Sequence, residues 1–346
     1  LLVTRSNRIA TLIAVIACAF TVAPERAKAN SLDEAACAEQ LLEHWAPTYV
    51  QEVAPDDAGA DRPTRVDFDG DWDTTNNWDN QARHGTALPP AAYGAAILTA
   101  THAYLTYTLY YPRDWRREHC VPLLCHDNDL ETVVVVVERD AGMGTLAEVR
   151  IKAHLAFSTT PAAEIATTPE GRPLLAVEPE GHGIATCRTD DPRCTPVPGT
   201  LVYAYGREAS PPPERAEGQT VQYELLSLRD TLWARRSISN QQLWGEGALD
   251  YANPRDGRLG GLMGTVMAGR RYAGCANPPW AHADASGVPG SWFLDPAGAR
   301  QRYVFNPFLD DLRAECVGTR CRPRAAAWPG RAAASLGAAE VKDAPL

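Results

Sequence analysis

Between residues 103 and 228 the chain alternates short runs of β-branched and aromatic residues with clusters of Pro, Gly, Asp and Asn. The run at 103–111 (AYLTYTLYY) sets Thr106 and Thr108 among apolar neighbours, which is the pattern of a strand. Residues 131–137 end in five successive Val. A β-branched run of that length predicts a strand buried on both faces. Segments 146–158, 174–178, 201–205 and 221–228 repeat the strand pattern between turn residues. No long helical crossover separates them, so antiparallel pairing is expected. Residues 32–45 are the exception and predict a helix, with Ser31 as its cap, Glu34 in the capping-box position and Pro47 as its stop. The fold class that follows is all-β: an antiparallel β-sandwich with long loops and a short N-terminal helix.

Residues 1–29 read as an export signal. Arg5 and Arg8 precede an apolar stretch at 9–22, and Ala27-Lys28-Ala29 is a small-x-small cleavage site. The run Val15-Ile16-Ala17-Cys18 offers the alternative of a lipid anchor through Cys18. With the signal removed no transmembrane segment is expected, and the product is secreted or periplasmic. Residues 30–324 then form one domain, residues 325–346 an Ala-rich loose tail, and residues 210–214 (SPPPE) a stiff loop within the domain.

Composition narrows the class. Hydrophobic residues are 45% and charged residues 22% of the chain, as in ordinary globular proteins. The net charge of −10 becomes −13 without the signal, and no basic block offsets it, which excludes a nucleic-acid binder. Of nine Cys, eight remain after residue 29, and Cys120/Cys125, Cys187/Cys194 and Cys316/Cys321 are close pairs. An even set in an exported chain, with no C-x-x-C spacing, predicts disulfides over zinc.

The densest chemistry is His126-Asp127-Asn128-Asp129-Leu130-Glu131, leading into the Val run. A period of two puts Asp129 and Glu131 on one face of the strand. Burying both is costly unless a cation compensates. His126 adds a nitrogen ligand, and a carboxylate-dominated set suits a hard divalent cation, Ca²⁺ or Mg²⁺. The alternative is a solvated strand end whose acids only block edge pairing. A second acidic cluster runs from Asp67 through Asp69, Asp71 and Asp73 to Asp79, but the EF-hand positions for Gly and Glu hold Trp72 and Trp78. It reads as a cation loop, an Asx-turn loop pinned by the two Trp, or a sugar-binding surface. His182, between Gly181 and Gly183, is the candidate catalytic base; His154 reads as a strand histidine and Asp284 as a turn acid. Residues 278–296 predict an aromatic loop packed over the sandwich. The chain lacks G-x-S-x-G, H-E-x-x-H and a glycine-rich phosphate loop.

Tyr110-Tyr111-Pro112-Arg113-Asp114, followed by His126-x-x-Asp129-x-Glu131, resembles the signature of the necrosis-inducing protein family. That family consists of β-sandwich proteins secreted by microbes that attack plants. The resemblance spans residues 110–137 and implies that Asp114, His126, Asp129 and Glu131 surround a divalent cation. Leu130 and Cys125 stand where the family has Trp and Gly. The run His-x-Asn-Asp-x-Glu is also similar to that of uncharacterised exported bacterial sandwich proteins. The expected function is cation-dependent binding of a glycan or lipid headgroup by an exported effector. The alternative is a metal-dependent hydrolase of phosphoester or glycan substrates with His182 as base.

Overall fold

A computed structural model describes residues 27–55, 57–74, 76–114, 126–153, 156–235, 278–281, 291–298, 302–314, 316–317 and 320–321. Two long strands organise it, β3 (His102–Asp114) and β4 (His126–Glu138), paired antiparallel from His102↔Glu138 to Asp114↔His126. Alternation on β4 sends Val133, Val135 and Val137 into an inner core with Leu105, Tyr107 and Tyr111. Val134 and Val136 enter an outer core with Tyr104, Tyr110 and Leu130. The Val run is therefore buried on both faces, which is why it shows no polar period.

The remaining strands of this sheet are β1 (Thr48–Glu52), β2 (Ala91–Thr99), β5 (Thr145–Ala153), β6 (Ala156–Pro161), β7 (Leu174–Val177), β8 (Ile184–Thr186), β9 (Thr200–Tyr205), β10 (Thr220–Ser227) and β11 (Tyr303–Phe305). Their order is β6-β5-β4-β3-β2-β10-β9-β1-β7-β8, with β11 also on β2. The ends of the row approach each other, and Thr160 on β6 meets Thr186 on β8 through their hydroxyls at 2.9 Å. The expected antiparallel sandwich is thus corrected to one mixed sheet, curled nearly closed. Parallel pairs join β1 to β7, β9 to β10 and β10 to β2. The physical reason lies in the loops: residues 206–219, with their Pro-rich centre, return the chain to the same end of the sheet without a helix. The segment 146–158 divides into the β5–β6 hairpin, and β2 (AAYGAAILT) has too little β-branching to be read as a strand.

Helix α1 (Ala27–Trp45) ends where expected but begins earlier, so Ser31 lies inside it. Glu34 pairs with Arg139 at 3.0 Å instead of closing a capping box. Ala38, Leu41 and Trp45 pack into the inner core. The helix is tied down by Tyr107 Oη donating to Leu42 O, Trp45 Nε1 to Met143 O, and Arg172 Nη1 to Glu43 O and Ala46 O. A second helix, α2 (Asn77–His84), rises within what reads as loop sequence. The outer core is covered by Trp233, Trp280, Trp292 and Phe293, and by Phe308 of a short helix (Pro307–Ala314), as expected for an aromatic cover.

Cys187 and Cys194 form a disulfide, and Cys37 is disulfide-bonded too. Cys316 and Cys321 face each other in a two-residue ladder. Cys120, Cys125, Cys18, His154, Asp284, the signal residues before Ala27 and the tail lie outside the described residues. Among those described, no helix is long and apolar enough to cross a membrane.

Candidate functional site

At one end of the inner core, the β7–β8 hairpin turns through residues 178–183 and closes with Glu178 N donating to Gly183 O. Glu180 and His182 themselves take positive φ, 65° and 53°, in a left-handed turn that carries His182 inward. The imidazole is wholly buried. Its Nδ1 donates to Asp129 Oδ2 at 2.9 Å and its Nε2 to Asp61 Oδ1 at 3.2 Å. The ring stacks on Tyr111, with centroids 3.7 Å apart and planes within 2°. Burial works against the charged imidazolium, yet the hydrogen bonds and charges of Asp129 and Asp61 outweigh it and push the pKa up to about 10. His182 is therefore a buried cation between two carboxylates, and its face on Tyr111 adds a cation–π contact.

The acids are held from behind. Asp61 accepts from Ala54 N at 2.6 Å and from Glu180 N at 2.7 Å, joining two loops to the imidazolium. Tyr111 Oη donates to Gln51 Oε1, and Gln51 Nε2 reaches Glu178 O, so β1 fixes the stacking ring against the turn. Asp61 and Gln51 belong to no recognisable motif, and Tyr111 stands in the Tyr-Tyr-Pro-Arg-Asp run without being predicted as a site residue. Asp61 sits in an Ala-, Gly- and Asp-rich loop, and only the fold brings it to His182.

Glu131 lies two residues along β4 from Asp129, on the same face as expected. It is buried, and its Oε2 has no hydrogen-bond partner. Burial pushes its pKa well up; Asp129 adds to this, Lys152 and His182 oppose it, and Asp114 raises it again. Asp114, at the end of β3, stands opposite His126 in the ladder. The strand register thus gathers Asp114, Asp129 and Glu131 near one sheet end, with the backbone of His126 beside them. The His126 side chain lies outside the described residues. Among the described residues no three His, Cys, Asp or Glu side chains converge as a ready ligand set for a metal. What the site offers a hard cation is carboxylate oxygen, including the orphaned buried Glu131 Oε2.

The Asn of the same motif has a different task. Asn128, at φ 60°, accepts from Tyr110 Oη at 2.7 Å and donates to Thr74 O at 3.1 Å. Asn77 Nδ2 donates to Tyr110 Oη and Val66 O. This network binds the motif to the Asp-rich segment. Within that segment Asp69 accepts from Asp71 N, Asp71 accepts from Asp73 N, and Asn80 donates to Asp69. These are Asx turns, the second of the readings open from sequence. Trp78 carries the Arg113 guanidinium over its ring at 4.9 Å, and Arg113 pairs with Asp57. Arg235 covers Trp72 at 3.8 Å. Both indoles are thus stacked by arginine.

No protein-family model matches the chain, and no curated protein matches it. Solved structures of necrosis- and ethylene-inducing proteins are similar to parts of it. The structure described as the non-toxic HaNLP3 protein is 18% identical over 29% of this chain and 46% of its own, with a TM-score of 0.25. NLPPya in complex with glucosamine is 17% identical over 28% and 45%, with a TM-score of 0.24. Necrosis and ethylene inducing protein 2, from the causal agent of cocoa's witches' broom disease, is 19% identical over 44% and 68%, with a TM-score of 0.27. The chain spans less than half the length of the first two.

Proposed function

We propose that this protein binds a hydroxyl-rich ligand, a glycan or a lipid headgroup, through a divalent cation held at the end of the β3–β4 pair. The observation that carries the reading is Glu131 Oε2, a buried carboxylate oxygen without a donor, beside Asp129 and close enough to Asp114 to feel its charge. A buried acid in that state either keeps its proton or takes a cation. Asp114, Asp129 and Glu131 supply hard oxygen donors, His126 stands at the same sheet end, and Ca²⁺ or Mg²⁺ is the matching ion. The cation contributes a positive centre with room for ligand oxygens. The residues of the chain fix where that centre sits, through the clasp that Asp129 shares with His182.

The hydrolase reading has less support. A general base needs a nitrogen without a proton. Both nitrogens of His182 donate to carboxylates, and its raised pKa keeps it charged at neutral pH.

Thermal melts of the exported protein with Ca²⁺, with Mg²⁺ and with chelator test the proposal. Cation at about a hundred times its Kd adds on the order of 2.7 kcal/mol to folding stability, and chelator removes it. Glu131→Gln abolishes the difference. Identical melts in all conditions for the wild type overturn the cation, and a cation effect that survives in Glu131→Gln overturns the assignment of the site.

A further inference from the structure

Strand β2 has an interrupted edge. β10 pairs with it from Ala91 to Gly94, and β11 pairs only at Leu98 and Thr99. Residues 95–97 therefore have no ladder neighbour on that side among the described residues. Gly94 O accepts from Leu228 N at this edge, so strand alternation turns the N–H and C=O of Ala96 the same way. Above the gap lies α1, which presents Ala35 and Ala38 where larger side chains would fill the space. Small residues on helix and strand leave a cavity of about 300 Å³ between them. That is at the lower end of the volumes of small-molecule sites, roughly 300–1,000 Å³.

The cavity has two chemical zones. Leu42, Leu225, Phe305 and Phe308 form apolar walls, and Leu42, Leu225 and Phe305 stay partly exposed in doing so. Glu39, Glu43 and Asp230 stand in the lining as acids. Arg229, the cation of the lining, is held by Asp311 through two hydrogen bonds, at 3.1 and 2.6 Å, and also feels the charges of Asp230 and Asp310, so acids outnumber it. Asp230 accepts from Ser227 Oγ, and Glu43 is hydrogen-bonded to Tyr205, whose ring has Arg172 over it at 5.3 Å. Glu39 and Asp230 are exposed and carry the remaining negative charge of the rim. The roof is rigid, because α1 is held by the Cys37 disulfide and by Tyr107, Trp45 and Arg172. A pre-formed space of this kind does not need ordering on binding.

We propose that this cavity is a second binding site, for a small amphipathic amine. The ammonium head sits at the Glu39–Asp230 rim, the apolar body fills the space between Leu42, Leu225 and Phe305, and Ala96 supplies backbone polar groups at the floor. It shares no residue with the sheet-end acids and does not depend on a cation there. An unpaired ammonium is favoured over a carboxylate by the sign of the rim, whereas the apolar walls alone do not distinguish them.

Calorimetry and saturation-transfer NMR with 2-phenylethylamine and 3-phenylpropanoate, similar in body and opposite in charge, test this on the full chain. The amine is expected to bind with a Kd of about 1 mM or below, and the carboxylate at least about tenfold more weakly. Glu39→Gln with Asp230→Asn, both at exposed positions, weakens the amine about tenfold and leaves the melting temperature unchanged. Ala35→Leu, which fills the gap from the partly exposed helix face, removes amine binding. Equal binding of the two probes, no binding of either, or amine binding untouched by the charge and filling variants overturns the proposal.

Discussion

Replacing His182 with Gln removes the cation that bridges Asp61 and Asp129, and its consequence can be worked from the geometry. Gln keeps a single amide donor group and carries no charge, so two carboxylates that are 0% and 2% exposed become buried anions. In the wild type the imidazolium is held from an ordinary pKa of 6.5 up to about 10. At about 1.36 kcal/mol per unit, that corresponds to a stabilisation on the order of 5 kcal/mol. Removing one partner of a buried ion pair typically costs about 3–5 kcal/mol, which agrees. The sign with pH follows from proton binding. Between pH 6.5 and about 10 the folded state holds a proton that the unfolded chain has lost, so unfolding free energy falls as pH rises. The contribution is complete below pH 6.5 and is lost as pH passes through about 10. Urea melts of wild type and His182→Gln across pH 6 to 10 measure both effects. At neutral pH the variant is expected to lose about 3–5 kcal/mol of unfolding free energy, and its stability should show a shallower fall toward alkaline pH. Adding Asp61→Asn to His182→Gln should recover part of the loss by neutralising one stranded anion. A variant within about 1 kcal/mol of wild type with a parallel pH profile would falsify the charged clasp.

Glu131→Gln, measured in chelator at neutral pH, should raise stability, because a carboxyl with a raised pKa weakens the fold as pH rises above its unfolded value of 4.5; a loss of stability there would argue for a structural partner on that side chain. Tyr110→Phe removes the hydroxyl between Asn77 and Asn128 and leaves Asn128 Oδ1 without its donor. It should cost about 1–3 kcal/mol in denaturant melts, and no change would mean that the network does not tie the motif to the Asp-rich segment. Cys187→Ser with Cys194→Ser opens a loop closed across a separation of seven residues. A loss of about 2–3 kcal/mol is expected by guanidinium unfolding, and indifference to reductant in the wild type would contradict it.

The sequence showed the parts of this fold that depend on local pattern. The Val run of β4, the aromatic alternation of β3 and the end of α1 at Trp45 carry their own signals, because side-chain period and helix stops act over a few residues. Parallel pairing of β10 with both neighbours does not, since it depends on where the 206–219 loop returns the chain. β2 was illegible for another reason: Gly94 lies close beside Leu225, and Ala and Gly together fill five of its nine positions, so the strand has too little of the β-branching that marks one in sequence. At the candidate site, Asp129 and Glu131 were readable from their spacing of two, and His182 from its flanking glycines. Asp61 was not, because its contact with His182 spans 121 positions and leaves no mark on either local sequence. Asn128 looked like part of a polar motif, whereas its left-handed backbone and its hydrogen bonds to Tyr110 and Thr74 make it a joint between segments.

The place of β10 in the sheet sets an order on folding. It is the strip between β9 and β2, and it joins the half of the sheet containing β1, β7 and β8 to the half running from β3 to β6. Each junction is short, four residue pairs on either side. As the chain emerges from its N-terminus, β2 to β6 can meander together early, while β1 waits for β7 and β9 to arrive. Until residue 227 has emerged, β2 and β9 each expose an unpaired edge, and such edges recruit other chains. Loss of β10 would therefore leave two half-sheets able to form separately and prone to pair with strangers. Truncations just before residue 220 are the variants in which aggregation, rather than simple unfolding, should be the dominant fate.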